Sequence, residues 1–279
     1  MDSDCIACQI RQALDMCKFV DAEESTRQLV LQSVMKIIIR KDEIEPEEEI
    51  GFVIQNEIKR ILKLNDPYKS VKEKSIRTAL AIFPRLKEIV RSSDTPLKTA
   101  AEICIAGNVI DFGPANTFNI EESINEALTS KKDRFDMDSF SVELNKAKSI
   151  LMLADNAGET VFDRVLIDEI KVPIIYVVKS EPVMNDAVLE DAIASGLEGS
   201  VTIIENGSQY SGTALSKCSQ EFLDIYSSVD MVISKGQANF ETLVDAKRRI
   251  FFLLKIKCEY LSNKHGITLN EYVLLDNYL

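Results

Sequence analysis

Three short segments concentrate the residues able to handle a phosphoryl group. They are Asp155-Asn156-Ala157-Gly158-Glu159-Thr160, then Lys179-Ser180-Glu181-Pro182 with Asn185-Asp186 after it, and Lys235-Gly236-Gln237-Ala238-Asn239. Each follows an apolar run of strand length. Carboxylate and carboxamide oxygens are hard donors that suit Mg²⁺ or Mn²⁺. Lysines beside such an ion neutralise phosphoryl oxygens, and glycines let backbone N–H groups approach them. Taken singly, each segment reads as an ordinary helix start, because Asp and Asn cap helices and Gly makes turns. Three of them at one edge of a sheet point to phosphoryl transfer instead.

Other chemistries fail on particular residues. A haloacid-dehalogenase-type phosphatase needs a second Asp two positions after the first, and Ala157 stands there. The dinucleotide pattern GxGxxG and the phosphate loop GxxxxGK[ST] are both absent. The chain holds a single histidine, His265, and no GxSxG elbow, which removes a Ser-His-Asp hydrolase and the His-rich zinc sites.

The elements that must present these segments change character along the chain. Residues 10–130 place apolar residues at helical spacing, with a break at Asp66-Pro67 and an expected end or kink of a helix at Pro84. Another helix opens near Thr95-Pro96 and closes near Gly107-Asn108. From about residue 146, apolar runs of strand length alternate with helical stretches. The expected strands are 149–154, 173–178, 200–205, 231–235 and 249–254. Unbroken apolar strands alternating with helices predict a parallel sheet covered on both faces. The fold class is therefore α/β: a Rossmann-like three-layer domain over 146–279, carrying the site, preceded by a mainly α-helical domain over 1–145. Ligands of such sheets bind beyond the carboxyl ends of the strands, where the three segments lie.

Charge narrows the partners. The 279 residues carry a net charge of −12, so a nucleic-acid partner is a poor expectation. A small anionic substrate is compatible with that charge, since a bound cation dominates the local field. No apolar run approaches the ~18–20 residues needed to cross a bilayer. The N-terminus is acidic and polar, unlike a secretory signal, and a cytoplasmic location is the expectation. Cys5 and Cys8 form a Cys-x-x-Cys, a metal or redox signature where context supports it, and otherwise two thiols on a first helix.

At this level of detail the chain resembles a known family. DNAGET, EPVMNDAVLEDA and SKGQANFETL look like the motifs of the damage-control phosphatases, formerly the domain of unknown function 89. NDPYKSVKEKS, AGNVIDFG and LLKIKCEYLSNKHGI extend the likeness over nearly the whole chain, and Cys5-x-x-Cys8 is similar to the stand-alone subfamily. The resemblance implies a metal-dependent phosphatase of small phosphorylated metabolites, damaged ones and sugar phosphates among them, with Mn, Ni, Co or Mg as cofactor. It implies Asp155, Asn156 and Asp186 as metal ligands, with Asn185 an alternative to Asp186, and Lys235 at the phosphate. Lys257 matches another basic position, while Asn108 and Asp111 match a motif lining the substrate side. Glu159 either orients a metal-bound water or sits in a helix first turn. Asp155 as ligand alone and Asp155 as transient nucleophile are both compatible with the motif. Ala238 stands where relatives often carry Gly. Two other readings stay open: a methyltransferase using S-adenosylmethionine, and a non-catalytic metal- or metabolite-binding protein.

Overall fold

The computed structural model describes residues 3–41, 47–107 and 120–278. Among these, helices alone precede the first strand: α1 (Ser3–Phe19), α2 (Glu24–Ile39), α3 (Glu47–Leu62), α4 (Lys69–Arg91), α5 (Pro96–Gly107), α6 (Ile120–Thr129) and α7 (Met137–Lys146). An alternating run follows: β1 (Ile150–Leu153), α8 (Thr160–Ile167), β2 (Ile174–Val178), α9 (Leu189–Ala194), β3 (Thr202–Glu205), α10 (Gln220–Ser228) and β4 (Met231–Lys235). It closes with α11 (Gln237–Leu243), β5 (Phe251–Lys255), α12 (Glu259–His265) and β6 (Tyr272–Asp276).

The six strands form one sheet in the order β3-β2-β1-β4-β5-β6. The first five are parallel, as their apolar runs predict, and β6 pairs antiparallel with β5. Successive residues of a strand face opposite sides. Ile150, Met152, Tyr176, Ile233 and Phe251 accordingly enter one core with α4 and α5. Leu151, Leu153, Val177, Val232 and Phe252 enter a second core on the other face. The chain leaves β1 for β2 on one side and returns to β4 on the other, so the strand order reverses between β1 and β4. That is the place where open α/β sheets bind ligands.

Of the end or kink expected at Pro84, the end does not occur. Pro84 lies inside α4, which continues to Arg91. Proline removes one helical N–H, a loss of about 3 kcal/mol in an isolated helix. Ile76 and Ala79 before it, and Leu86 and Val90 after it, are all buried in the core under α8 and α5, and that packing carries the helix through. The strand β6 has no counterpart in the sequence reading. Ala238 sits within α11, where no positive φ is needed.

The helical part and the sheet share packing. Ile103, Cys104 and Ile105 of α5 lie in one core with β1 and β2. Helices α1 to α3 keep a cluster of their own around Met16, Val34 and Ile54.

Candidate active site

The site is built where β1 and β4 end. The chain leaves β1 through Asp155 and Asn156 into a 3-10 turn over Ala157–Glu159, which leads into α8. The segment after β2 doubles back onto it: Ala157 N–H donates to Asn185 C=O (2.9 Å) and Ala187 N–H donates to Asp155 C=O (2.8 Å). These two bonds make a local bridge of Asn156 with Asp186. Three of the expected ligands thus meet through backbone pairing, before their side chains contribute. The same pairing turns Asn185 into a backbone acceptor, and Asp186, not Asn185, carries the buried side chain.

From β4, Gly236 supplies the floor. Its φ of +79° and ψ of 168° lie in a region essentially reserved for glycine. A β-carbon there would overlap the carboxylate of Asp155. Asn239 pins the two strand ends together: its Nδ2 donates to Ala154 C=O (2.9 Å) and Lys235 C=O (2.8 Å). Its Oδ1 accepts from Thr213 Oγ1 (2.7 Å).

Charge is unevenly shared. Burial, with Glu159 and Asp186 close by, holds Asp155 well above the ordinary carboxylate range. Burial also raises Asp186 to about 6, although Lys179 and Lys72 oppose it. Lys179 Nζ lies 3.7 Å from Asp186 Oδ2 and also donates to Gly212 C=O. Glu159 behaves differently. Burial would raise it, but Lys235 keeps it below the usual glutamate range.

Lys235, expected at the phosphate, is wholly buried, with Nζ on Glu159 Oε2 (2.9 Å) and Asp163 Oδ1 (2.6 Å). Two of its three N–H donors are spent there, and the side chain has no exposed surface. Lys257 is exposed at the rim, close enough for its charge to lower both Asp155 and Glu159. Asn108 and Asp111 lie outside the described residues.

Several residues given no role by the sequence reading hold this arrangement. Asp163, a buried acid on α8, takes Lys235, Tyr176 and Cys104 on one carboxylate. Lys72 of α4 bonds Asp66 and Asp191, each at 2.8 Å, and Asp191 in turn accepts Val188 N–H. Lys59 of α3 donates to Pro182 C=O, and Met184 packs on the α1–α3 cluster. The loop bearing Asp186 is therefore clamped by the helical part. The acid at 163 was visible beside Arg164 inside VFDRVL; the pairing of Lys72 with Asp191 was not, since the two lie 119 residues apart in sequence.

The Cys-x-x-Cys lies on α1, with Cys8 close to Cys258. Cys5 is half-buried and Cys8 exposed on α1. Burial, with Cys258, Cys5 and Glu241 nearby, pushes the Cys8 thiol up, which disfavours a reactive thiolate. Among the described residues no three His, Cys, Asp or Glu side chains group as a metal site. The donors at the sheet edge are two carboxylates and one carboxamide. Nor is any described helix long and apolar enough to cross a membrane.

Comparison with known proteins gives one answer. Residues 1–273 match the damage-control phosphatase ARMT1-like domain. An uncharacterised protein of Methanocaldococcus jannaschii is 36% identical, over 98% of this chain and 94% of its own length. A damage-control phosphatase of Pyrococcus horikoshii is 30% identical, over 98% and 97%, and one of Archaeoglobus fulgidus 29%, over 96% of each. The crystal structure of a DUF89 family protein from Pyrococcus horikoshii superposes with a TM-score of 0.87 at 29% identity, covering 99% of both chains.

Proposed function

Because this chain belongs to the ARMT1-like damage-control phosphatase family, we propose that it is a divalent-metal-dependent phosphatase of small phosphorylated metabolites. One observation carries the reading. Two buried carboxylates and a carboxamide, from Asp155, Asn156 and Asp186, are clipped together at the switch point of the sheet. Burial, with Glu159 repelling each, holds both acids above their ordinary range. A cation placed between them removes that tension, and oxygen donors of this kind fit Mg²⁺, Mn²⁺, Co²⁺ or Ni²⁺. When bound, such an ion neutralises phosphoryl charge and lowers the pKa of a bound water.

The chain's own residues divide the remaining work. Asp155, Asn156 and Asp186 would hold the ion. Lys257, exposed and close enough to act on Asp155, would meet phosphoryl oxygens arriving from solvent, and Lys179 steadies Asp186 from within. Lys235 supports Glu159, and direct contact with phosphate would draw on the same ammonium. Asn108 and Asp111 are assigned to the remainder of the substrate on the resemblance alone. The methyltransferase alternative calls for an open glycine-rich turn after β1. Here that turn is filled by buried Ala157, Glu159 and Thr160.

The test is hydrolysis of an aryl phosphate with each of the four ions, before and after thorough chelation. Turnover should require the metal and return when it is restored. Activity surviving chelation would sink the metal reading while leaving family membership intact.

A further inference from the structure

Beneath the ligands runs a closed chain of polar contacts that the phosphatase reading does not itself require. Asn156 Nδ2 donates to Glu159 Oε1 (2.6 Å) and to Asp155 Oδ2 (3.0 Å). Glu159 Oε2 accepts from Lys235 Nζ (2.9 Å), and the same ammonium reaches Asp163 Oδ1 (2.6 Å). Asp163 is completed by Tyr176 Oη (2.6 Å) and Cys104 Sγ (3.2 Å). Glu159, Asp163, Tyr176, Cys104 and Lys235 are at most 1% exposed. They come from the 3-10 turn, α8, β2, α5 and β4, so no local rule of sequence brings them together.

A carboxamide has two ends of nearly equal shape and opposite hydrogen-bonding sense. Only its oxygen can ligate a hard cation. With Nδ2 committed to two carboxylates, Oδ1 is the end left for a metal, and rotating the amide would set its oxygen against both acids. Glu159 can enforce this only if its own carboxylate is fixed and ionised, and a buried lysine supplies both conditions. Lys235 in turn stays in place because Asp163 holds it from behind, with a phenol and a thiol occupying the remaining acceptor sites.

We propose that Glu159, Lys235 and Asp163 are positioning residues, a buried relay that sets which end of the Asn156 carboxamide faces the metal. This rests on the metal site proposed above. The relay predicts a particular complementation. In Glu159→Gln, the new side chain has one acceptor for two donors, Asn156 Nδ2 and Lys235 Nζ, so one is lost. In Asn156→Asp, a carboxylate faces Glu159. In the double variant Glu159→Gln/Asn156→Asp the 156–159 contact returns with its sense exchanged and the Lys235 contact returns unchanged, while the bond from residue 156 to Asp155 stays lost. The introduced carboxamide accepts from Lys235 and donates to the introduced carboxylate, whose second oxygen still faces the metal.

The experiment is calorimetric titration of the metal-free proteins with Mn²⁺, alongside their metal-free melting curves. Glu159→Gln should lose about 10–100-fold in Mn²⁺ affinity, the range typical of outer-shell partners. The double variant should regain part of that loss. Asp163→Asn should weaken Mn²⁺ binding in the wild-type background, where Lys235 must be held against Glu159, and less in the double variant, where the side chain at position 159 is neutral. A purely structural role would instead move the metal-free melting curves of all variants together and give the double variant the sum of the single losses. Wild-type affinity in Glu159→Gln, or a double variant no better than the worse single one, overturns the relay. A wild-type protein that takes up no Mn²⁺ overturns the metal reading and the relay with it.

Discussion

A residue type at a strand end states which chemistry it can take part in, and its partners decide whether it does. Asp155 and Asp186 are both raised by burial, and Asp186 is placed at about 6. In the proposed site the ligands must be ionised, so protons and a metal would compete for these two acids. Mn²⁺ affinity should therefore fall as pH drops through about 6, by about tenfold per unit for each proton displaced. Metal-free stability should run the other way. A carboxyl whose folded pKa lies above its unfolded value stabilises the fold when protonated, and that contribution is lost as pH rises from the unfolded value toward 6. Titration and unfolding at pH 5, 6 and 7 read both signs, and a metal affinity flat across that range would remove Asp186 from the ligand set. Gly236→Ala tests the floor of the site. Its β-carbon has no room beside the Asp155 carboxylate, so Mn²⁺ binding should fall by more than about 100-fold, the upper end for outer-shell changes. An unchanged isotherm would mean that Asp155 can move aside. That polar residues such as Asp155, Asn156 and Asp186 follow apolar strands was legible locally, and the family resemblance, not spacing, singled them out as ligands. The burial of Lys235 was not legible, since its two carboxylates lie 72 and 76 residues away in the chain.

The elements were legible where burial imposes a period and obscure where it comes from afar. Strands β1, β2, β4 and β5 are unbroken apolar runs, and each lies within a residue or two of its expected span. The antiparallel β6 is just as apolar, but it follows α12 with no helix after it, so no alternation marks it. Pro84 misled for the opposite reason: a strong local breaker is overridden by packing on both sides. The same long-range packing places the Asp186 loop. Lys72 on α4 is 2% exposed and bridges Asp66 to Asp191, which caps the start of α9 just beyond Asp186. Lys72→Met keeps the stem of the side chain and removes the charge, leaving two largely buried acids unneutralised. Such losses cost about 3 kcal/mol or more. The denaturation midpoint should drop accordingly, and Mn²⁺ affinity should fall with it because the loop is no longer anchored. A normal midpoint would reduce this cluster to a surface pair.

At the scale of the molecule, the net charge of −12 and the recessed site act together. Asp155, Glu159 and Asp186 are buried below the sheet edge, with exposed Lys257 as a cation placed at the rim. On the proposed reading a small phosphate monoester would bring one phosphoryl group to that spot, where a bound cation and Lys257 would meet its charge. A polynucleotide brings neighbouring phosphates with it, each facing an acidic surface within the Debye length, about 8–10 Å at 0.10–0.15 M salt. Phosphopeptides add acidic side chains and a backbone that the recess must also admit. Small sugar phosphates and cofactor fragments should therefore lead a screen run with Mn²⁺ or Ni²⁺, and polymers should trail. The margin should be widest at low ionic strength, where repulsion acts farthest, and shrink as salt is added. Measuring kcat/KM for a sugar phosphate and a 5′-phosphorylated oligonucleotide from about 20 mM to about 300 mM NaCl separates the terms. A ratio that stays constant assigns selectivity to pocket shape alone. A ratio that favours the oligonucleotide at low salt would mean that a local basic track, not the acidic whole, governs what reaches the metal.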